Sequence, residues 1–137
     1  MKQALSAAWL ALGLVACQAP VAAPPTAPAA PLPGPDDAAR LLAQIRTEIG
    51  DAPCSHDAQC RTLPIGARAC GGPAAWWAWS EVNARADRLR DWAQQLEQIE
   101  RERHSREGLL STCVVVPDPG ASCVAQRCVL NPRGAVR

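Results

Sequence analysis

Apolar residues return at three- and four-residue steps in two stretches of the chain, the pattern of helices that bury one face. The first stretch predicts a helix over about residues 37–49, which Asp36 or Asp37 can cap and Gly50 can end. Its predicted buried face consists of Ala38, Leu41, Leu42, Ile45 and Ile49. We therefore expect a short amphipathic helix at the start of the folded part of the chain.

The second stretch predicts a much longer helix, over about residues 81–106. Ser80 or Asn83 can cap its first turn, and Gly108 can stop it. Its apolar face comprises Val82, Ala86, Leu89, Trp92, Ala93, Leu96 and Ile99, while the dense charges near its end are typical of a solvated face. A helix of this length either outgrows a small core or lies across it against the first helix.

Short runs of β-branched and aromatic residues between turn signals predict a small antiparallel sheet. Its strands are expected at about residues 60–65, 75–79, 112–117 and 122–130. Pro64 favours an edge position for the first strand, because proline lacks the N–H of the ladder. Trp76, Trp77 and Trp79 would point nearly all around a helix, whereas a strand places them on alternating faces. The predicted fold class is a small α+β domain.

Six cysteines lie in this predicted domain: Cys54, Cys60, Cys70, Cys113, Cys123 and Cys128. An even number in a small exported domain is typical of three disulfides, and sequence alone leaves all fifteen pairings open. Cys113 and Cys123 lie roughly symmetrically about a turn at Asp118-Pro119-Gly120, so a bridge between them is one possible pairing.

The cysteine spacings argue against metal and redox chemistry. Zinc sites and thioredoxin-like motifs favour two cysteines separated by two residues, and that spacing does not occur in the sequence. His56, between Cys54 and Cys60, is interpreted as a solvated loop residue. We therefore expect no bound metal and no cofactor.

The N-terminal segment has the features of a secretory signal: Lys2, an apolar run from Ala4 to Leu14, and small residues before a cysteine. The tetrapeptide Leu14-Val15-Ala16-Cys17 resembles the lipobox of bacterial lipoproteins. This resemblance implies removal of residues 1–16, a thioether-linked diacylglycerol on Cys17, and acylation of the new N-terminus, for instance with palmitate. The apolar run is about a dozen residues, too short for a bilayer-spanning helix, which needs roughly 20.

The resemblance also implies a location. In that family an aspartate after the modified cysteine favours retention in the inner membrane. Gln18 occupies this position and indicates the outer membrane, with the protein facing the periplasm. The membrane is thus an expected partner, contacted through the lipid anchor.

Residues 17–35 form the predicted lipidated linker. Seven prolines and six alanines fall within residues 19–35, and no charge occurs before Asp36. Such a segment is typical of an extended spacer, with a reach of roughly 50 Å at about 3.1 Å per residue. Residues 36–137 remain for one cysteine-rich globular domain. Beyond residue 16, 13 arginines balance 13 acidic residues, so we expect no nucleic-acid partner.

A second resemblance rests on the cysteine spacing around Cys70-Gly71-Gly72-Pro73. A tryptophan-rich segment, a charged helix and the closing Cys123 and Cys128 follow this spacing. It is similar to small cysteine-rich exported proteins of Gram-negative bacteria that have no assigned activity. The likeness covers about residues 54–130. It implies a compact disulfide domain and provides no catalytic residue.

The sequence does not indicate an enzyme. His104 and Ser105 are neighbours in the long predicted helix, where adjacent side chains point apart, and no phosphate-binding loop or zinc-protease motif occurs. We expect a non-catalytic, lipid-anchored cell-envelope protein that serves in interaction or structural support. Its partner would be an envelope protein or a glycan.

Two alternatives remain open. Trp76, Trp77 and Trp79 can stack on sugar rings in a glycan- or peptidoglycan-binding module, or they can fill a core in a chain without Tyr or Phe. The segment from Arg61 to Ile65 can be the exposed loop of a periplasmic protease inhibitor, or the edge strand predicted above.

Overall fold

The computed structural model describes residues 34–109 and 114–132. The predicted signal peptide, Cys17, almost all of the linker, and Cys113 lie outside the described residues. The elements in chain order are α1 (Pro35–Ile49), a 3-10 turn (Asp57–Gln59), β1 (Cys60–Ile65), β2 (Ala75–Ser80), α2 (Ala86–Glu107), β3 (Ala121–Val124) and β4 (Arg127–Leu130). Two helices, short antiparallel sheets and disulfides confirm the predicted α+β class.

The first helix starts slightly earlier than predicted. Pro35 occupies its first position and Gly34 is the N-cap residue, because proline needs no N–H partner there. Asp37 lies within the first turn, where its carboxylate accepts a 2.9 Å hydrogen bond from the Gly34 N–H. Gly50 ends the helix with a positive φ of 52°, as expected.

The second helix starts at Ala86, and the predicted start near residue 81 is wrong. Ser80 and Asn83 do not cap it, because both side chains bond elsewhere. The Ser80 hydroxyl donates to the Pro53 carbonyl at 2.5 Å, and the Asn83 amide donates to the Ile49 carbonyl at 3.1 Å. These bonds hold residues 81–84 in a turn against the end of α1. Gly108 ends α2 in the left-handed region, as predicted.

The helices pack through the predicted apolar faces. Leu89 and Leu96 of α2 are fully buried, as is Ile45 of α1. Each such side chain contributes about 1.5–3 kcal/mol when it leaves water. Val82, which we placed on the face of α2, precedes the helix and is 59% exposed. No helix among the described residues is both long enough and apolar enough to cross a bilayer.

The strands form two separate two-stranded sheets. β1 pairs with β2 along its whole length, with Cys60 opposite Ser80 and Ile65 opposite Ala75. β3 and β4 form a hairpin through a two-residue turn at Ala125 and Gln126, and both turn residues have positive φ. The predicted single strand over 122–130 is thus two strands, because this turn reverses the chain.

The predicted strand at 112–117 is wrong over the part that the structure describes. Residues 114–117 pair with no strand and run in an extended segment. Side chains, rather than a neighbouring backbone, bond two of their carbonyls: the Trp76 indole N–H donates to Val116 at 3.1 Å, and Arg68 donates to Val114 at 3.1 Å. Side-chain donors can replace a ladder only at isolated positions, so no strand results.

The β1–β2 sheet lies between the helices and the β3–β4 hairpin. Leu63 and Ile65 point from one face into the core with the helices, and α2 contacts β1. The opposite face carries Cys60 and Thr62, which bond to Cys128 and to Asp118 in the C-terminal part of the chain. This layering places the cysteines between the sheet and the hairpin.

Candidate functional site

Two neighbouring disulfides connect the beginning of the domain to its last hairpin. Cys54 pairs with Cys123 of β3, with the Cα atoms 5.9 Å apart. Cys60, the first residue of β1, pairs with Cys128 of β4, with the Cα atoms 5.4 Å apart. The suggested Cys113–Cys123 bridge is therefore wrong, because Cys123 is already bound to a cysteine far away in sequence.

Local backbone pairing explains why these cysteines meet. The Cys54 N–H donates to the Gln126 carbonyl at 3.1 Å, and the Cys128 N–H donates to the Ala52 carbonyl at 2.9 Å. The segment before Cys54 thus lies alongside β4. In addition, the Asp57 carboxylate accepts a 2.8 Å hydrogen bond from the Cys123 N–H. Three hydrogen bonds and two disulfides therefore hold the hairpin at one place.

The sulfur atoms of Cys54, Cys60 and Cys128 lie within 4.8 Å of one another, and all three residues are buried. We refer to these residues and Cys123 as the four-cysteine cluster. Three converging thiolates would suit a soft metal ion, since thiolate is the form of cysteine that binds metals. In the structure, however, all of these sulfurs belong to disulfides, so the cluster holds two adjacent covalent bridges rather than a ligand set.

Cys70 is also disulfide-bonded. Its loop, between β1 and β2, contains Gly71 and Gly72, both with positive φ. The Arg68 N–H donates to the Gly72 carbonyl at 3.0 Å, which closes the loop around the cysteine. The Cys-Gly-Gly-Pro segment that carried the sequence resemblance is thus a tight connection between two strands.

The three tryptophans of β2 differ in their surroundings. Trp79 is 2% exposed and donates its indole N–H to the Thr62 carbonyl at 3.3 Å. Trp77 is partly buried against the core, and the Arg46 guanidinium lies 5.0 Å from its ring centroid. Trp76 is half-buried and bonded to Val116. Trp79 is therefore a packing residue, whereas Trp76 and Trp77 retain some accessible ring surface.

The segment from Arg61 to Ile65 is not a loop. It lies in β1 and pairs with β2 at every position, with Leu63 opposite Trp77 and Pro64 opposite Trp76. The Arg61 side chain is held by nearby residues. It donates to the carbonyls of Ala58 and Cys60, and it forms a 2.9 Å salt bridge with Glu81. This arrangement gives no support to a protease-inhibitor loop at these residues.

The histidines do not lie in arrangements typical of catalysis. The Ser55 hydroxyl is 3.0 Å from His56 Nδ1, but both side chains are exposed, and the same hydroxyl is 3.1 Å from Gln59 Oε1. His104 lies near the end of α2. The contacts of Ser55 are local bonds in an exposed loop, and they place no base against a shielded nucleophile.

Two open clefts flank α2. One, of about 200 Å³, lies between the β1–β2 connection and α2, with Leu63 and Ala93 among its apolar residues and Arg90 and Glu97 among its charged ones. The other, of about 400 Å³, is lined by Arg68, Ala69, Gly71, Arg101, His104, Ser105, Gly108 and Leu109. Small-molecule sites typically enclose most of their ligand. These clefts are shallow surface features by comparison.

Sequence reasoning missed the partners that position the four-cysteine cluster. Asp57 bonds a backbone amide 66 residues away, and such a contact leaves no local pattern. One signal was present: Cys54 and Cys60 are six residues apart, and Cys123 and Cys128 are five apart. Nearly equal spacings at both ends are compatible with two bridges side by side between two aligned segments.

Comparison with known proteins gives no relative. No protein family, no curated protein sequence and no solved structure is significantly similar to this chain.

Proposed function

We propose that this chain is a lipid-anchored cell-envelope protein whose domain is a non-catalytic module for interaction or structural support, at the outer membrane facing the periplasm. The observation that carries the proposal is the pair of disulfides between segments 69 and 68 residues apart. Disulfides of this kind persist in exported proteins and are rare where thiols are kept reduced. The domain therefore requires an oxidising compartment.

The lipobox supports the anchor. Leu14 to Cys17 fit the tetrapeptide, and the residues that follow form a proline- and alanine-rich spacer. α1 begins at Pro35, where that spacer ends. A domain tethered in this way would be held within roughly 50 Å of the membrane surface.

Membrane fractionation of a Gram-negative host tests the anchor. Cys17→Ser removes the only thiol that the lipid can modify, so we expect the full-length protein to leave the membrane fraction. Gln18→Asp is the matched variant: it should remain membrane-bound but move to the inner-membrane fraction. A Cys17→Ser protein that still sediments with membranes would overturn the proposed anchor.

An interaction role is supported by exposed apolar side chains near the hairpin. Val115 is 84% exposed, Val114 is 62% exposed and Val124 is 56% exposed. Single exposed valines are ordinary, but three in the same C-terminal part of the described chain are candidate contact residues. We name these three residues the valine surface.

Photocrosslinking in intact envelopes tests this surface. A photoreactive residue at Val115 is expected to form a discrete adduct with an envelope protein. The same residue at Asp91, exposed on α2, is the matched control and should give no such adduct. Adducts of equal yield from both positions, or none from Val115, would remove the valine surface from the proposal.

Glycan binding is a second candidate, favoured by the partly exposed rings of Trp76 and Trp77. Aromatic rings stack on sugars through their faces. Peptidoglycan fragments should then shift the tryptophan emission and protect it from acrylamide quenching, and Trp76→Leu should abolish both effects. Unchanged emission and quenching at millimolar fragment would eliminate this candidate.

A further inference from the structure

The four-cysteine cluster allows a second pairing of the same sulfurs. Cys54 Sγ lies within 4.8 Å of the sulfurs of both Cys60 and Cys128, which form the neighbouring bridge. Disulfides rearrange when a thiolate attacks a sulfur of another disulfide. A thiolate generated at Cys54 would therefore lie next to its target before any large motion of the backbone.

The register of the hairpin is compatible with the second new bridge, between Cys123 and Cys128. Cys123 and Cys128 are directly opposite each other in β3 and β4. Their N–H groups point away from the partner strand, one to Asp57 and the other to Ala52. This is the non-hydrogen-bonded type of antiparallel pair, with Cα atoms about 4.5 Å apart. Disulfides span Cα distances of about 4.4–6.8 Å, so a bridge across the hairpin is compatible with this register.

We propose that the four-cysteine cluster is a disulfide-exchange site. It converts the long-range bridges Cys54–Cys123 and Cys60–Cys128 into the local bridges Cys54–Cys60 and Cys123–Cys128. The reagent is a thiolate, from either a small thiol or the active site of a thiol–disulfide oxidoreductase. This inference stands on the cysteine geometry and does not depend on the lipid anchor.

The exchange is balanced and needs no net oxidant or reductant. The external thiolate attacks the Sγ atom of Cys123, the one half-buried residue of the cluster, forms a mixed disulfide there and releases the Cys54 thiolate. The Cys54 thiolate attacks Cys60 Sγ, breaks the Cys60–Cys128 bond and releases the Cys128 thiolate. That thiolate attacks the Cys123 mixed disulfide, closes the hairpin bridge and returns the external thiolate.

The exchange changes how the hairpin is attached. In the long-range state, β3 and β4 are covalently bound to the segment around Cys54 and to the start of β1. In the local state both bridges lie within their own segments, and hydrogen bonds such as that of Cys128 to Ala52 hold the hairpin. Separation of the hairpin would expose the part of β1 and β2 that β3 and β4 contact. The site would thus work as a thiol-controlled release of the C-terminal hairpin.

Disulfide mapping of the native full-length protein tests the proposal. The protein is incubated with reduced glutathione, or in a second arm with a purified disulfide isomerase, then acid-quenched, alkylated and digested with trypsin. Cleavage after Arg46 and Arg61 places Cys54 and Cys60 in one peptide, and cleavage at Arg127 separates Cys123 from Cys128. The long-range state joins this peptide to two others, whereas the local state releases it with an internal bridge.

We expect at least about a tenth of the molecules to release this internally bridged peptide within hours, the time scale of disulfide reshuffling. Exchange in the isomerase arm alone would identify a protein thiolate as the reagent, and exchange in both arms would show that a small thiol suffices. Long-range bridges that persist unchanged in both arms, together with free Cys54 in the variant below, would overturn the proposal.

A variant with a built-in thiol tests the central step without an external reagent. Cys123→Ser leaves Cys54 unpaired beside the Cys60–Cys128 bridge. We expect alkylation to find the free thiol mainly on Cys128 or Cys60. In the control variant Cys60→Ser/Cys123→Ser/Cys128→Ser, which lacks the neighbouring bridge, alkylation should find it on Cys54. This control only has to show that a Cys54 thiol is labelled when it is present, so it serves whether or not the variant is folded. Quantitative labelling of Cys54 in both variants would show that its sulfur cannot reach the neighbouring bridge.

Discussion

At the scale of single residues, Gly66 determines how closely the sheet approaches α2. Its φ is 65°, in the region that glycine adopts without strain. The next N–H, that of Ala67, donates to the Glu100 carboxylate of α2 at 2.6 Å. A Cβ on Gly66 would overlap that carboxylate. A side chain at this position would therefore be strained and would push the Glu100 carboxylate away from the Ala67 N–H.

Gly66→Ala should lower the free energy of unfolding by about 2–5 kcal/mol, because left-handed strain of about 1–2 kcal/mol adds to about 1–3 kcal/mol for displacing the Glu100 carboxylate from the Ala67 N–H. Gly72→Ala is the matched control, since Gly72 has a φ of 75° but nothing within 4 Å of its Cβ position. It should show the strain alone. Urea unfolding measures both variants, and equal losses would contradict the role assigned to Glu100.

At the scale of elements, the start of α2 lacks an ordinary cap. Its N-cap residue is Arg85, which makes no side-chain capping bond. The Arg85 N–H instead donates to the Glu48 carboxylate of α1 at 2.9 Å. Asp87 in the first turn lies where the free N–H groups of a helix favour negative charge. A hydrogen bond from the Arg88 N–H, with another from the Arg85 side chain, holds the pKa of Asp87 below its usual value.

This lowered pKa gives stability a pH dependence with a definite sign. Because the folded-state pKa of Asp87 is lower than its unfolded value of about 3.9, its contribution is fully present above about pH 4 and is lost as the pH falls through the folded pKa. Asp87→Asn should therefore flatten the fall in stability below about pH 4.

Thermal unfolding measured between about pH 2 and about pH 6 checks this slope. Asp91→Asn is the control: Asp91 lies one turn further along, where the backbone N–H groups are already bonded within the helix. Its profile should resemble that of the unmodified protein. If the profile of Asp87→Asn equalled those of Asp91→Asn and the unmodified protein, the contribution assigned to Asp87 would be contradicted.

The same region shows what the sequence can and cannot predict about the elements. The helical faces follow from apolar spacing, and Leu89 and Ile45 are buried as expected. The start of α2 was misplaced because Ser80 and Asn83, good cap residues, bond to Pro53 and Ile49 instead. Propensity describes what a residue does locally, whereas these side chains are used by neighbours 27 and 34 residues away.

The C-terminal strands were misplaced for a related reason. β-branched residues at 114–116 favour a strand, but a strand needs a partner, and the pairing edge of β3 is used by β4. For the candidate site, too, the sequence predicted the residues but not their partners. Its cysteines were readable as disulfide partners, while the pairing depended on hydrogen bonds between residues far apart, such as that of Cys54 to Gln126.

At the scale of the whole molecule, the two bridges of the four-cysteine cluster are not independent. Each closes a loop of nearly 70 residues. Once one bridge is present, however, the other adds only a short loop of about 11 residues, the sum of the two local cysteine spacings. Chain-entropy arguments then give about 3 kcal/mol for removing either bridge and about 7 kcal/mol for removing both.

Cys54→Ser/Cys123→Ser and Cys60→Ser/Cys128→Ser should therefore each stay folded with similar losses of about 3 kcal/mol, measured by urea unfolding. The variant without either bridge should lose about 7 kcal/mol, a large share of the roughly 5–15 kcal/mol that keeps a small domain folded, and should be the least stable of the three. A large loss for one pair with none for the other would show that local strain or packing, rather than chain entropy, dominates.

The disulfide of Cys70 provides a test of whether Cys17 carries the lipid. Cys70 is disulfide-bonded, and the four cysteines of the cluster pair with one another, which leaves Cys113 and Cys17 of the sequence as candidate partners. We expect Cys113, because a lipid thioether on Cys17 would leave that sulfur without a thiol. Trypsin followed by acid cleavage at Asp118-Pro119 separates Cys113 from Cys123, so mass spectrometry can assign the bridge. A Cys17–Cys70 bridge in native material would contradict lipidation directly, since one sulfur cannot form both bonds.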